Sequence, residues 1–223
     1  MSITQNLQNI KTSLPEHVTL VAVSKTKPVS DLMEAYHAGQ RIFGENKIQE
    51  MVEKHETMPK DIEWHMIGHV QSNKVKYMAS FVHLIHGVDN FKLLKEINKQ
   101  ALKHDRVIDC LLQIKIASED SKFGMTPNEA SEIIKSDLFS KLKNIKVVGL
   151  MGMATFTNDE NQVKKEFNYL KDTFENLKLT STDNYQLKTI SMGMSGDYQL
   201  AINCGSTMVR VGSSIFGERN YSI

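Results

Sequence analysis

The run Val18-Thr19-Leu20-Val21-Ala22-Val23 passes without a break into Ser24-Lys25-Thr26-Lys27-Pro28, and a helical pattern follows from Ser30 to Gly39. The first six residues are mostly apolar and rich in β-branched side chains, as suits a buried strand. Ser30 is a cap-type residue and Gly39 a terminator, so the unit reads as strand, polar turn, helix. The same unit recurs along the chain. Strands are expected at 41–44, 63–67, 81–85, 107–116, 145–150, 187–190 and 207–211, with helices at 45–55, 73–79, 90–103, from Pro127 onward, 161–177 and 196–203. A helix over Ile3 to Ser13 precedes the first strand. Strict alternation implies parallel strands with crossover helices. Eight such units predict an α/β fold of the (β/α)8 TIM-barrel type with an extra N-terminal helix; an open doubly wound sheet is the alternative that pattern alone leaves.

Composition sets the boundaries. The 223 residues are 40% hydrophobic, with four prolines and twelve glycines and no linker-like or repeated tract, which suits one domain over residues 1–223. A net charge of +1 gives no electrostatic case for nucleic acid or a membrane surface. No apolar run reaches the ~18 residues of a membrane span. The N-terminus carries neither a basic nor an apolar leader region, and the two cysteines, Cys110 and Cys204, are far apart. A cytoplasmic, reducing location is therefore expected.

In such barrels chemistry sits where strands end. Lys25 follows an apolar strand and shares parity with Val21 and Val23. If that side faces inward, Lys25 reaches the barrel mouth, where partial burial favours the neutral amine that Schiff-base chemistry needs. Taken singly, a solvated loop lysine is the commoner outcome. Asn46, after the second strand, reads by itself as a helix-start residue. His65 and His69 are four apart, but the segment is a strand running into a glycine loop and no third ligand accompanies them, so no metal site is expected. His65 is expected in the core or the pocket. The loop Ser191-Met192-Gly193-Met194-Ser195-Gly196-Asp197 opens a short helix, and Arg210-Val211-Gly212-Ser213-Ser214 follows the last strand. Small-residue turns after strands seven and eight are where barrels often hold phosphate. Met151, Met153, Met192 and Met194 read chiefly as gap-fillers.

The segments Ala22 to Lys27, Phe43 to Asn46, Trp64 to Gly68, Gln71 to Lys74, Gly149 to Met151, Gly193 to Ser195 and Gly205 to Gly212, in that order, closely resemble the pyridoxal phosphate homeostasis protein family. The resemblance covers nearly the whole chain. It departs at Lys47, often aromatic in the family, and at Val70, usually leucine. It implies a barrel like the domain of alanine racemase that binds pyridoxal 5′-phosphate (PLP), standing alone. It implies further that Lys25 carries PLP as a Schiff base, that Ser195, Gly212 and Ser213 hold the phosphate, that Arg210 faces the pyridine nitrogen, and that Asn46 lies near the cofactor.

The function so implied is binding, buffering and delivery of PLP, with PLP-dependent apoenzymes as recipients and effects on amino-acid and keto-acid metabolism. The alternative is a small PLP-dependent amino-acid racemase or lyase. A barrel enzyme for phosphorylated sugars that never binds PLP is a third, weaker one. Little turnover and no catalytic residues are expected. An arginine cannot protonate the pyridine at neutral pH, the racemase's second domain with its tyrosine base is not expected, and Tyr221 reads as a tail residue. A monomer is expected for the same reason.

Overall fold

A computed structural model describes residues 2–118, 123–179 and 182–218. Eight strands run in sequence order: β1 (Thr19–Val23), β2 (Ile42–Glu45), β3 (Glu63–Met66), β4 (Leu84–Val88), β5 (Ile108–Gln113), β6 (Ile145–Met151), β7 (Tyr185–Met194) and β8 (Met208–Val211). Each pairs in parallel with the next, and β8 returns to β1 through the register Thr19↔Met208 to Ala22↔Val211, which closes the barrel. The helices are α1 (Ile3–Ser13), α2 (Val29–His37), α3 (Ile48–Thr57), α4 (Phe91–Leu102), α5 (Pro127–Lys135), α6 (Asp137–Ser140), α7 (Glu160–Lys178), α8 (Tyr198–Asn203) and α9 (Ser213–Phe216). A 3-10 helix over Ser72–Tyr77 serves as the crossover between β3 and β4.

Alternation along each strand sorts side chains into two cores. Leu20 and Ala22 of β1 face the helices, in one cluster with Leu32 and Ala35 of α2 and Met51 of α3. Val21 faces the barrel interior with Leu84, Leu111, Val148, Met151 and Met208. Each such side chain taken from water contributes about 1.5–3 kcal/mol before conformational entropy is charged against it. Helix α1 buries Leu7 and Ile10, and its Asn6 Nδ2 donates to Ile215 O of α9 at 3.1 Å, tying the two ends of the described chain together.

Local chemistry explains the boundaries. Pro127 is at the first turn of α5, where Thr126 and Glu129 form a reciprocal capping box. Four expectations need correction. Ser30 does not cap α2; the helix starts at Val29 behind Pro28, and Ser30 lies in its first turn. Glu45 ends β2 rather than opening α3. Strand β4 begins at Leu84, not Phe81, because Phe81 N–H and Val82 N–H both bond Met78 O in a turn and the Phe81 ring stacks on His55 at 3.8 Å. Strand β7 is longer than its apolar kernel at both ends, so Ser191 to Met194 are strand. Helix α9 was not expected. The polar loop 117–125 is described at 117–118 and 123–125, and Tyr221 lies outside the described residues.

Candidate functional site: a cavity at the C-terminal mouth of the barrel

The residues following β1, β2, β3, β7 and β8 converge on a cavity of about 590 Å³. Lys25, Asn46, Ser195, Arg210, Gly212 and Ser213, all singled out in the sequence, line it. The parity argument for Lys25 holds in three dimensions: Val21 is inside the barrel, and Val23 and Lys25 line the cavity above it.

The loop that carries Lys25 is held by buried charge. Ser24 is fully buried and its Oγ donates to Glu45 Oε1 at 2.6 Å. Lys54 Nζ, from α3, donates to Ser24 O at 2.8 Å, to Glu45 Oε1 at 2.7 Å and to Glu50 Oε1 at 2.8 Å. Glu50 Oε1 in turn accepts from Thr26 N–H at 2.5 Å, and Thr26 adopts a left-handed φ of 63°. A non-glycine residue there is uncommon and persists only where its surroundings over-determine it. Lys25 is thus flanked on both sides by pinned backbone. Burial raises the Glu45 carboxyl above its ordinary range even against the attraction of Lys54. The neighbouring Lys27 is occupied differently: its ammonium donates to Phe216 O at 2.8 Å and Glu218 O at 3.0 Å, clamping the segment after β8.

Arg210, from β8, is 4% exposed. It donates to Ser191 O (2.8 Å), Ser191 Oγ (2.5 Å) and Gly152 O (3.1 Å), and burial pulls its pKa down to about 10, so it stays cationic at neutral pH. Beneath it runs a buried polar chain. Ser191 Oγ lies 3.0 Å from His86 Nδ1, and His86 Nε2 lies 3.1 Å from His65 Nδ1. Burial drives both imidazoles down, His65 to about 3, so both are neutral.

The loops after β7 and β8 are stitched together by the Gly212 N–H, which donates to Ser195 Oγ at 3.1 Å. A Cβ on Gly212 would lie 3.1 Å from Val23 O, so the wall there is bare backbone for want of room. The methionines divide: Met153 and Met194 line the cavity, Met151 fills the interior core and Met192 the core beneath the helices.

Sequence reasoning missed part of the wall. His69, Gln113, Phe123 and Phe156 also line the cavity. The His69 ring stacks on Phe123 at 4.2 Å and its Nδ1 is 3.4 Å from Asp89. Gln113 Nε2 fixes the same loop by donating to Phe123 O at 2.9 Å. Phe156, 94% exposed, is on the rim. Phe123 and Phe156 follow polar stretches with no periodicity, so only Gln113, a polar residue ending an apolar strand, carried a signal. His65 and His69 do not share a site: His65 is inside the barrel and His69 is at the mouth.

Residues 1–220 match the family model for the N-terminal domain of alanine racemase. A pyridoxal phosphate homeostasis protein of Pasteurella multocida (strain Pm70) is 41% identical over 235 residues, covering 100% of both chains. Among solved structures, PipY of Synechococcus elongatus PCC7942 with PLP bound superposes with a TM-score of 0.87 at 32% identity, covering 97% of this chain and 100% of that one. Alanine racemase from E. faecalis shares the fold, with a TM-score of 0.72 at 16% identity over 97% of this chain and 58% of its own. Full-length similarity at this level leaves one assignment: the chain belongs to the pyridoxal phosphate homeostasis protein family.

Proposed function

We propose that this chain is one PLP-binding domain whose work is intracellular PLP homeostasis: it takes up the cofactor, buffers it and releases it to PLP-dependent apoenzymes. The observation that carries the reading is convergence. An amine, a buried guanidinium and two small-residue loops from three strand ends meet at one cavity, whose volume of about 590 Å³ suits a small-molecule cofactor. These groups fit PLP. When bound, PLP supplies an aldehyde for covalent attachment and an electron-withdrawing ring. Lys25 is the amine, its loop pinned by Lys54 and Glu50. Ser195, Gly212 and Ser213 hold the phosphate, and Arg210 offers a cationic donor to the ring nitrogen without giving up its proton. Asn46 lies against the same space.

Binding rather than turnover is favoured by what surrounds the lysine. Among the described residues no tyrosine lines the cavity, and its imidazole, His69, is engaged by Asp89 and Phe123. A net charge of +1 supports neither nucleic acid nor membrane as partner, and no helix among the described residues is long and apolar enough to cross a membrane. We read the protein as a cytoplasmic monomer.

The test is the visible spectrum of the PLP-loaded protein before and after borohydride, with mass analysis of the labelled peptide. Lys25→Ala abolishes the band and the label; Lys27→Ala keeps both. The reverse result overturns the assignment. Incubating the loaded protein with each proteinogenic amino acid is the second arm, and efficient racemisation or lysis of any one, lost in Lys25→Ala, moves the reading to an enzyme.

A further inference from the structure

At the opposite mouth of the barrel, where strands begin, Glu63, His65 and His83 come together. Glu63 opens β3 and His65 is two residues on, so the two share a face. His83 immediately precedes β4 and its N–H is fixed to Trp64 O at 2.8 Å. Each residue offers one potential ligand atom, and the three atoms lie within 4.8 Å of one another. Glu63 Oε2 and His83 Nε2 are 3.4 Å apart, and the His65 and His83 rings lie parallel, 7° between planes and 5.7 Å between centroids.

His65 supplies an independent observation. It is 2% exposed, and its Nδ1 is engaged by His86, yet its Nε2 has no hydrogen-bond partner among the described residues. A buried polar atom left unsatisfied costs about 1–3 kcal/mol and calls for an explanation. We propose that Glu63, His65 and His83 form a binding site for a divalent metal ion of the zinc class, held by one carboxylate oxygen and two imidazole nitrogens, with His65 Nε2 as the buried ligand.

The chemistry of the set fits. Imidazole and carboxylate together suit zinc, cobalt, nickel or ferrous iron, not calcium or magnesium, which prefer oxygen alone. Three protein ligands leave a position for water. The His83 and Glu63 side chains are 50% and 45% exposed, which gives an ion its route in. The outer partner is in place as well: ligating histidines ordinarily donate their other ring N–H to an acceptor, which fixes tautomer and orientation. With the ion on Nε2, the His65 proton sits on Nδ1 and donates to His86 Nε2, and His86 donates from Nδ1 to Ser191 Oγ. The ion would then set the direction of the polar chain that ends at Arg210. The site stands on its own residues and does not depend on the reading of the cavity above it.

The experiment uses untagged, PLP-loaded full-length protein, stripped of metal and titrated with zinc chloride by equilibrium dialysis with elemental analysis. One zinc per chain is expected. Glu63→Gln and His83→Ala, both half-exposed and remote from the cavity, each weaken binding by at least tenfold while retaining the cofactor spectrum. The combined variant binds no stoichiometric zinc. His65→Ala is not used, because it opens the buried polar chain and so confounds loss of the ligand with loss of the fold. No saturable binding at one equivalent overturns the proposal, as does unchanged affinity in both single variants, which would put the ion elsewhere, for instance at His69 and Asp89.

Discussion

Lys54→Met is the sharpest probe of how the barrel presents Lys25. Methionine matches the length of the lysine and keeps its packing in α3, so the change removes chiefly the ammonium and its three hydrogen bonds, to Ser24 O, Glu45 Oε1 and Glu50 Oε1. Glu50 is partly exposed and recovers water, so that bond counts for little. The other two are buried, and a hydrogen bond to a charged group contributes about 1.5–3 kcal/mol. Glu45 is left fully buried, with Oε2 already lacking a partner among the described residues. Stranding one member of a buried ion pair costs about 3–5 kcal/mol, in line with those two bonds. For a chain of this size that lowers Tm by about 6–20 °C. The pH dependence has a definite sign. Glu45 is an acid whose folded-state pKa is raised by burial, so its contribution to stability is present below the unfolded pKa and is lost as pH climbs through the folded value. Without Lys54 the folded value rises further, and the penalty of the variant is larger at about pH 8 than at about pH 5. Urea unfolding at both pH values measures it. Glu45→Gln combined with Lys54→Met removes both charges and recovers most of the loss. A loss under about 1 kcal/mol at the higher pH, or an equal loss at both, refutes the reasoning.

Two glycines give further tests. Gly149→Ala drives a Cβ into the backbone carbonyl of Thr189 across β6 and β7, so the variant is expected to lose more than about 4 kcal/mol or to fail to fold, whereas Gly196→Ala, with nothing within 4 Å, keeps the wild-type Tm. Thermal melts followed by circular dichroism distinguish them, and a wild-type melt for Gly149→Ala would contradict the packing described. Gly212→Val adds methyls where a Cβ already meets Val23 O at 3.1 Å and the cavity lies beyond, so PLP affinity should fall by about tenfold or more with the fold retained. Spectrophotometric titration measures this, and unchanged affinity would remove the phosphate from that loop.

How much of this was legible depended on whether the cause of a feature is local in sequence. The barrel was legible because eight apolar runs, each followed by a polar turn and a helix, express a local rule, and closure adds only the β1–β8 pairing. The position of Lys25 at the mouth was legible only conditionally: period-two alternation carries the side of Val21 and Val23 to it, but which side faces inward is decided by the closed barrel. What failed were cases where a distant partner decides. Phe81 looks like strand by propensity, but its ring is claimed by His55 and its N–H by a turn. Glu45 looks like a polar helix-start residue, yet it is fully buried, because Lys54, nine residues on, and Ser24, before the preceding helix, supply its partners. His65 was weighed against His69, four residues away, because spacing is what a sequence displays. Its neighbours in space are Glu63, two residues back along the strand, His83, delivered by the next crossover, and His86, delivered by β4. Parallel strands joined by crossovers bring together residues roughly twenty positions apart, and no short motif records that distance. In a barrel of this kind, the strand ends that line the cavity are therefore the part that sequence motifs report, and the strand starts are where unrecorded chemistry is best sought.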